Sequence, residues 1–157
     1  MLARLFAAVS VAAFTAPAFA DPYIGAPEVI QSGGDEGTIS GVVFHDENRN
    51  SRFDEGEAGV EGVLVTNGLD VARTGEDGAY ELAVRGDMDL SVVQPAGWRV
   101  PTDRNRVPQF SYTHKPGGTG YEMRYGGLAD TGPAPAAVNF PLIQEGAADD
   151  DFICAVI

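Results

Sequence analysis

Short apolar runs recur from Thr38 onward, and turn-forming residues separate them. Asn67-Gly68 lies between two such runs and predicts a two-residue hairpin, because both residues tolerate positive φ. Short strands at regular spacing, with no convincing amphipathic helix, predict an all-β fold. We expect an antiparallel β-sandwich of the immunoglobulin-like or prealbumin-like kind. Its strands are predicted within TISGVVF, VEGVLVTNG, LDVART, AYELAV and DLSVVQP.

The regular pattern fades from Trp98, where proline, glycine and aromatic residues become frequent. This composition predicts long ordered C-terminal loops across the sandwich, with short strands near QFSYTH and VNFPLI. We place the β-sandwich domain at residues 38–143 and interpret 21–37 as a linker or loosely attached lead-in. Residues 144–157 combine an acidic linker with the apolar run FICAVI. That run contains Cys154, the only cysteine, which we interpret as a buried small hydrophobe.

The first twenty residues have the three-part pattern of a secretory signal peptide. Arg4 begins it, an apolar run follows, and Ala18 and Ala20 provide the small residues of a cleavage site. The run is too short to span a bilayer, and no later segment is apolar enough to do so. We therefore expect a secreted or periplasmic protein. Without Arg4, nine basic residues face 23 acidic ones, a net charge of −14 that disfavours nucleic acid and attracts cations.

Oxygen-bearing side chains alternate along the stretch that follows the first predicted strand. If Asp46 is position 1 of a loop, the other positions that supply ligands to calcium are 3, 5, 7, 9 and 12. These are Asn48, Asn50, Arg52 through its carbonyl, Asp54 and Glu57. The spacing predicts a structural calcium site, although Ser51 stands at position 6, where the sharp turn favours glycine. The alternative is an Asx-rich turn held by side-chain hydrogen bonds to the backbone.

Other candidate residues favour structural roles. His45 ends a predicted strand and could be a further ligand, although a hydrogen-bonding surface residue is the simpler interpretation. His114 and Lys115 precede Pro116 and two glycines, which favours a turn over an anion site. The aromatic residues Tyr112, Tyr121 and Tyr125 could bind sugar or peptide, but we expect them to cover the core. The sequence has no Walker loop, nucleophile elbow, CxxC or HExxH.

Longer blocks of the sequence resemble the amino-terminal domain of bacterial calcineurin-like metallophosphoesterases. The resemblance covers roughly residues 38–157, and its most specific parts are GWRVPTD, HKPGG and TGPAPAAVNFPL. TGEDGAYEL also resembles the Thr-x-x-x-Gly-x-Tyr signature of prealbumin-like domains, and the stretch from Asp46 to Gly62 resembles calcium loops of bacterial surface repeats. In the resembled family, such a β-sandwich precedes a phosphoesterase domain with two catalytic metals.

The resemblance implies a hydrolase as the parent protein, with FICAVI as the first strand of a catalytic domain missing from this chain. The family's catalytic residues have no counterpart here, because no GDxH-like, GNH-like or His-rich segment is present and the chain has only two histidines. We expect a non-catalytic accessory domain whose partner is that phosphoesterase domain. The alternative is a free-standing calcium-binding module for adhesion or for binding carbohydrate or protein. The sequence does not predict the oligomeric state.

Overall fold

The computed structural model describes residues 22–31, 37–119 and 127–145, and these form two packed β-sheets. The first sheet has the order β1-β9-β2-β5, with β7 also paired to β9, and the second has the order β4-β3-β6-β8. The strands are β1 (Glu28–Ile30), β2 (Thr38–His45), β3 (Leu64–Thr66), β4 (Val71–Arg73), β5 (Ala79–Ala83), β6 (Met88–Val93), β7 (Trp98–Arg99), β8 (Ser111–His114) and β9 (Ala137–Gln144). The predicted all-β sandwich is confirmed at this level.

One strand pair departs from the predicted antiparallel arrangement. β9 lies parallel to β2, with Val43 opposite Phe140 and His45 opposite Leu142, whereas the other pairs in the described residues are antiparallel. β9 fits this central position because its side chains from Val138 to Ile143 are all buried. Both strands therefore end at the same edge of the molecule. The acidic stretch follows β2 there, and the chain leaves β9 beside it.

The main core lies between the two sheets and follows from the alternation along the strands. β5 shows the pattern most simply, because Tyr80 and Leu82 are buried while their neighbours are exposed. Val84, two residues further along, packs partly buried against the same cluster. The largest fully buried side chains of this core include Ile39, Val43, Val65, Leu90, Phe140 and Leu142.

The outer face of the first sheet is also covered. Phe44 points away from the main core, is 0% exposed, and packs against Phe53 with ring centroids 5.2 Å apart. Tyr23 is 4% exposed, and backbone hydrogen bonds join it and Gly25 to Thr102. These contacts, together with strand β1, differ from the loosely attached lead-in predicted for residues 21–37. Glycine, proline and acidic residues indicated a linker there, but Glu28–Ile30 pair with β9, and Tyr23 and Gly25 bond to Thr102.

The signature TGEDGAYEL provides three structural groups. The buried Thr74 hydroxyl donates to the Val60 carbonyl (2.7 Å) and accepts from the Val63 N–H (2.9 Å). Gly78 has φ of +74°, and an added Cβ would lie 2.2 Å from the Val43 carbonyl oxygen, so only glycine fits that turn. Tyr80 donates to the Val138 carbonyl at 2.6 Å. The three residues connect the two sheets around one corner.

The hairpin predicted at Asn67-Gly68 is present, but its loop is longer than two residues. Thr66 pairs with Val71, so four residues connect β3 to β4. Asn67 does not adopt positive φ. It is 3% exposed, and its side-chain oxygen accepts the N–H groups of Leu69 (3.0 Å) and Asp70 (2.7 Å). Such side-chain capping makes a wider turn than the dipeptide alone predicts.

Several predictions concern residues outside the described ranges. They are the signal peptide, the apolar run FICAVI with Cys154, and the aromatic residues Tyr121 and Tyr125. Across the part of the chain that the structure describes, no helix has the length and apolar character needed to span a membrane.

Candidate cation-binding loop

The acidic loop, residues 46–57, is fixed to the end of the first sheet at both of its own ends. The Asp46 N–H donates to the Leu142 carbonyl (2.8 Å), which attaches the start of the loop to β9. Ala58, immediately after the loop, accepts the N–H of His45 (2.8 Å). The loop is therefore closed at its base, and its conformation depends on how its own side chains are arranged.

Asp46 is the buried organising residue of the loop. It is 0% exposed, and its carboxylate accepts the backbone N–H groups of Asn50 (3.0 Å) and Ser51 (2.7 Å) as well as the phenol of Tyr23. These donors satisfy a charge that would otherwise be costly to bury. Arg49 and Ser51 next to these donors have φ of 60°, a left-handed conformation that is uncommon for residues other than glycine.

Three predicted ligands meet on the exposed side of the loop. The amide nitrogens of Asn48 and Asn50 both donate to one oxygen of Asp54, at 2.8 and 2.6 Å. These two hydrogen bonds lower the pKa of Asp54 below its ordinary value. The amide oxygens of Asn48 and Asn50 accept the N–H groups of Asn50 (3.0 Å) and Arg52 (2.7 Å). This pattern is the Asx-rich turn that stood as the alternative, and it uses the same residues as the predicted site.

Glu57 closes the loop. Its Oε2 accepts the Asp54 N–H at 3.0 Å, and its Oε1 is buried without a hydrogen-bond partner. A buried carboxylate oxygen in that state is unfavourable unless a positive or donor group satisfies it. Within residues 22–31, 37–119 and 127–145, no three His, Cys, Asp or Glu side chains are grouped so that they could hold a metal ion. The calcium shell of Asp46, Asn48, Asn50, Arg52, Asp54 and Glu57 therefore remains a prediction.

Two residues that contact the loop, Tyr23 and Glu28, were not predicted from the sequence. Tyr23 reaches Asp46 from 23 positions away, and Glu28 accepts the Phe53 N–H at 3.2 Å through Oε2. Burial, followed by the hydrogen bond to Asp46, raises the pKa of Tyr23 well above its ordinary value, so the phenol keeps its proton. No local pattern indicates either residue, because both contacts depend on long-range pairing, that of Tyr23 with Thr102 and that of Glu28 with β9.

The other candidates have structural surroundings. His45 contacts Trp98 edge to face, with centroids 5.2 Å apart, and lies 3.6 Å from Glu47. His114 is 3% exposed and lies 3.2 Å from the Thr131 hydroxyl, which accepts the Lys115 N–H.

Lys115 and Tyr112, near His114 in the sequence, also have structural surroundings. The Lys115 ammonium pairs with Asp87. The chain turns directly afterwards, at Pro116 and Gly117, as predicted. Tyr112 is partly buried and packs against the core, as expected.

A family comparison identifies the class of domain to which this sandwich belongs. The family model described as the N-terminal of calcineurin-like phosphoesterase matches residues 47–126, which begin in the acidic loop and include the second sheet. The match covers just over half of the chain, and the chain belongs to this family. The resemblance found in the sequence is thereby confirmed. No curated protein matches the chain.

Proposed function

We propose that this chain is the non-catalytic accessory domain of a secreted metallophosphoesterase, and that it positions the catalytic domain. The family match over residues 47–126 is the observation that supports this role. The fold also indicates where a following domain would be attached. β9 runs parallel to β2, so β9 ends, at Gln144, at the edge of the sheet where the acidic loop lies. A catalytic domain joined there begins beside the loop and the His45–Trp98 contact.

The reading frame beyond codon 157 tests this proposal most directly. We expect it to encode metal-binding phosphoesterase motifs, whereas an authentic stop codon would favour the free-standing module. A second test assays the purified chain with phosphomonoesters and phosphodiesters in the presence of manganese, iron or zinc. We expect no turnover. Metal-dependent turnover that co-purifies with the chain and disappears in His114→Ala would contradict an accessory role. Export is checked by N-terminal sequencing, which should begin at Asp21.

We also propose that the acidic loop holds one structural calcium ion. The donor set is composed of oxygens, and six residues of a twelve-residue loop supply it at the expected spacing. The buried, unpartnered Oε1 of Glu57 supports this proposal, since a cation would satisfy it. To present oxygens to the ion, the amides of Asn48 and Asn50 turn and give up the hydrogen bonds that their oxygens accept from the Asn50 and Arg52 N–H groups. The fit therefore rests on the oxygen chemistry of the donor set and on the unpartnered Oε1 of Glu57.

The calcium proposal predicts a gain in stability on binding. At a calcium concentration of 100 times Kd, the free energy of unfolding should rise by about 2.7 kcal/mol. Glu57→Gln should remove most of that increase, and Glu55→Gln, an exposed neighbour outside the predicted shell, should retain it. Calorimetry and thermal melts with calcium and with EDTA measure both effects. Absence of heat and of a melting shift at millimolar calcium would refute the site.

A further inference from the structure

The N-terminal strap, residues 22–30, links the acidic loop to the first sheet. Its first half pairs with the backbone at Thr102, and its second half is strand β1, which pairs with β9 from Glu28 opposite Asn139 to Ile30 opposite Ala137. Covalently, the strap lies far from the acidic loop. In space it contacts both that loop and the segment around Thr102, and its second half forms the edge of the sheet beside β9.

The strap contacts the loop at its beginning and in its second half. Tyr23 donates its phenol proton to Asp46 Oδ2. Glu28 Oε2 accepts the Phe53 N–H at 3.2 Å and the Asn139 amide at 2.9 Å, so one carboxylate oxygen joins loop, strap and β9. Gly25 lies directly against Ser51, because a Cβ added at Gly25 would sit 1.8 Å from the Ser51 hydroxyl oxygen. An added methyl group there would require the Ser51 hydroxyl to rotate away.

The donors to Asp46 determine which of its oxygens remains available. Oδ2 accepts two hydrogen bonds, from Ser51 and Tyr23, whereas Oδ1 accepts only one, from Asn50. A carboxylate oxygen has about two acceptor sites, so Oδ1 retains one. The Tyr23 phenol therefore orients Asp46 with Oδ1 as the oxygen open to a cation. Without the phenol, the buried carboxylate would keep only its two backbone donors and could rotate.

We propose that the N-terminal strap and the acidic loop form one cooperative unit, in which a divalent cation in the loop locks the strap onto the sheet. Tyr23 is the positioning residue that couples them. This inference rests on the calcium site proposed above and adds its regulation. Coupling between two sites is reciprocal, so the docked strap must raise the calcium affinity of the loop by the same factor by which calcium favours docking.

Calcium chloride is the probe, and the full chain is the sample. Hydrogen exchange should slow in residues 22–30 when calcium replaces EDTA, by a larger factor than in β3 and β6 of the opposite sheet. Calorimetric titration should show that Tyr23→Phe weakens calcium binding by about 5- to 150-fold, the usual range of such coupling. Tyr80→Phe is the matched control. It removes a phenol hydrogen bond of 2.6 Å elsewhere, so it should reduce global stability and leave calcium affinity unchanged.

Glu28→Gln provides a second, milder variant if Tyr23→Phe does not fold, and it should weaken calcium binding in the same direction. The wild-type exchange experiment needs no variant. If calcium binds with heat but slows exchange equally everywhere, or if Tyr23→Phe and Glu28→Gln bind it as tightly as Tyr80→Phe, the coupling is refuted and the calcium site stands. If no variant and no wild-type sample gives heat, the calcium site itself fails, and the coupling fails with it.

Discussion

Replacing Gly41 by alanine tests the most crowded point of the first sheet. The pairing of β2 with β9 has a gap. Ser40 lies opposite Ala137 and Val43 lies opposite Phe140, but the residues between them are not paired. In this gap, side chains supply the missing partners. Tyr80 donates to the Val138 carbonyl, and Asn139 Oδ1 accepts the Val42 N–H at 3.0 Å. A methyl group at position 41 would point directly into the gap.

The expected cost follows from the distances. The added Cβ would lie 1.9 Å from the Val138 carbonyl oxygen and 2.8 Å from the Tyr80 hydroxyl, so the two central strands must separate. Overpacking of this kind costs about 1–3 kcal/mol or more. Separation also breaks the Tyr80 hydrogen bond and leaves a buried carbonyl unsatisfied, which adds about 1–3 kcal/mol. Together these terms give a reduction of about 2–6 kcal/mol in the free energy of unfolding for Gly41→Ala, out of a typical total of about 5–15 kcal/mol.

Urea denaturation followed by tryptophan fluorescence measures this loss, since Trp98 is the only tryptophan. Gly37→Ala is the control, because an added Cβ there meets nothing within 4 Å. It should have little effect. Tyr80→Phe separates the contribution of the hydrogen bond from that of the steric clash. A stability of Gly41→Ala within about 1 kcal/mol of the wild type, the central value for ordinary substitutions, would show that the strands are not packed as described.

Two further predictions concern the acidic loop and the buried tyrosines. Ser51→Gly should stabilise the chain by about 0.5–1 kcal/mol, because the strain of a left-handed serine exceeds the entropy cost of glycine. Thermal melts with EDTA measure the change. A destabilised variant would mean that the serine hydroxyl contributes more stability than the strain costs. Burial raises the pKa of both Tyr23 and Tyr80 above the ordinary value of 10.0, so folded-state stability is complete below pH 10 and falls as the pH rises beyond it. Absorbance titration of the five tyrosines should show two that ionise only on unfolding, and smooth ionisation of all five in the folded state would contradict their burial.

The sequence predicted those elements of the fold that depend on local alternation. β3, β4 and β5 lie within the runs predicted as strands, β2 and β6 extend one residue beyond theirs, and β8 and β9 lie near QFSYTH and VNFPLI. β1 and β7 were missed because each has three or fewer residues and exists through its pairing with β9. The parallel pairing of β9 was missed for a related reason. Its buried residues show that it is central, but not the direction in which its neighbours run.

The candidate site shows the same division. The spacing of Asp46, Asn48, Asn50 and Asp54 predicted a closed loop of converging polar side chains, and the hydrogen bonds within it follow that spacing. The part played by Tyr23 was not predicted, because a phenol in a segment rich in glycine, proline and acid has no periodic signal that links it to an aspartate 23 residues later.

The central position of β9 constrains the order in which this chain can fold. β1 has no partner in the described sheets except β9, and the first sheet before β9 is only the β2–β5 pair. Residues 137–144 are nearly the last of the described chain, so synthesis from the N-terminus leaves the sandwich open until they emerge. Contacts that distant in sequence make folding slow. A fragment that ends before residue 137 would lack β9, the strand that pairs with β1, β2 and β7. We therefore expect that such a fragment does not fold.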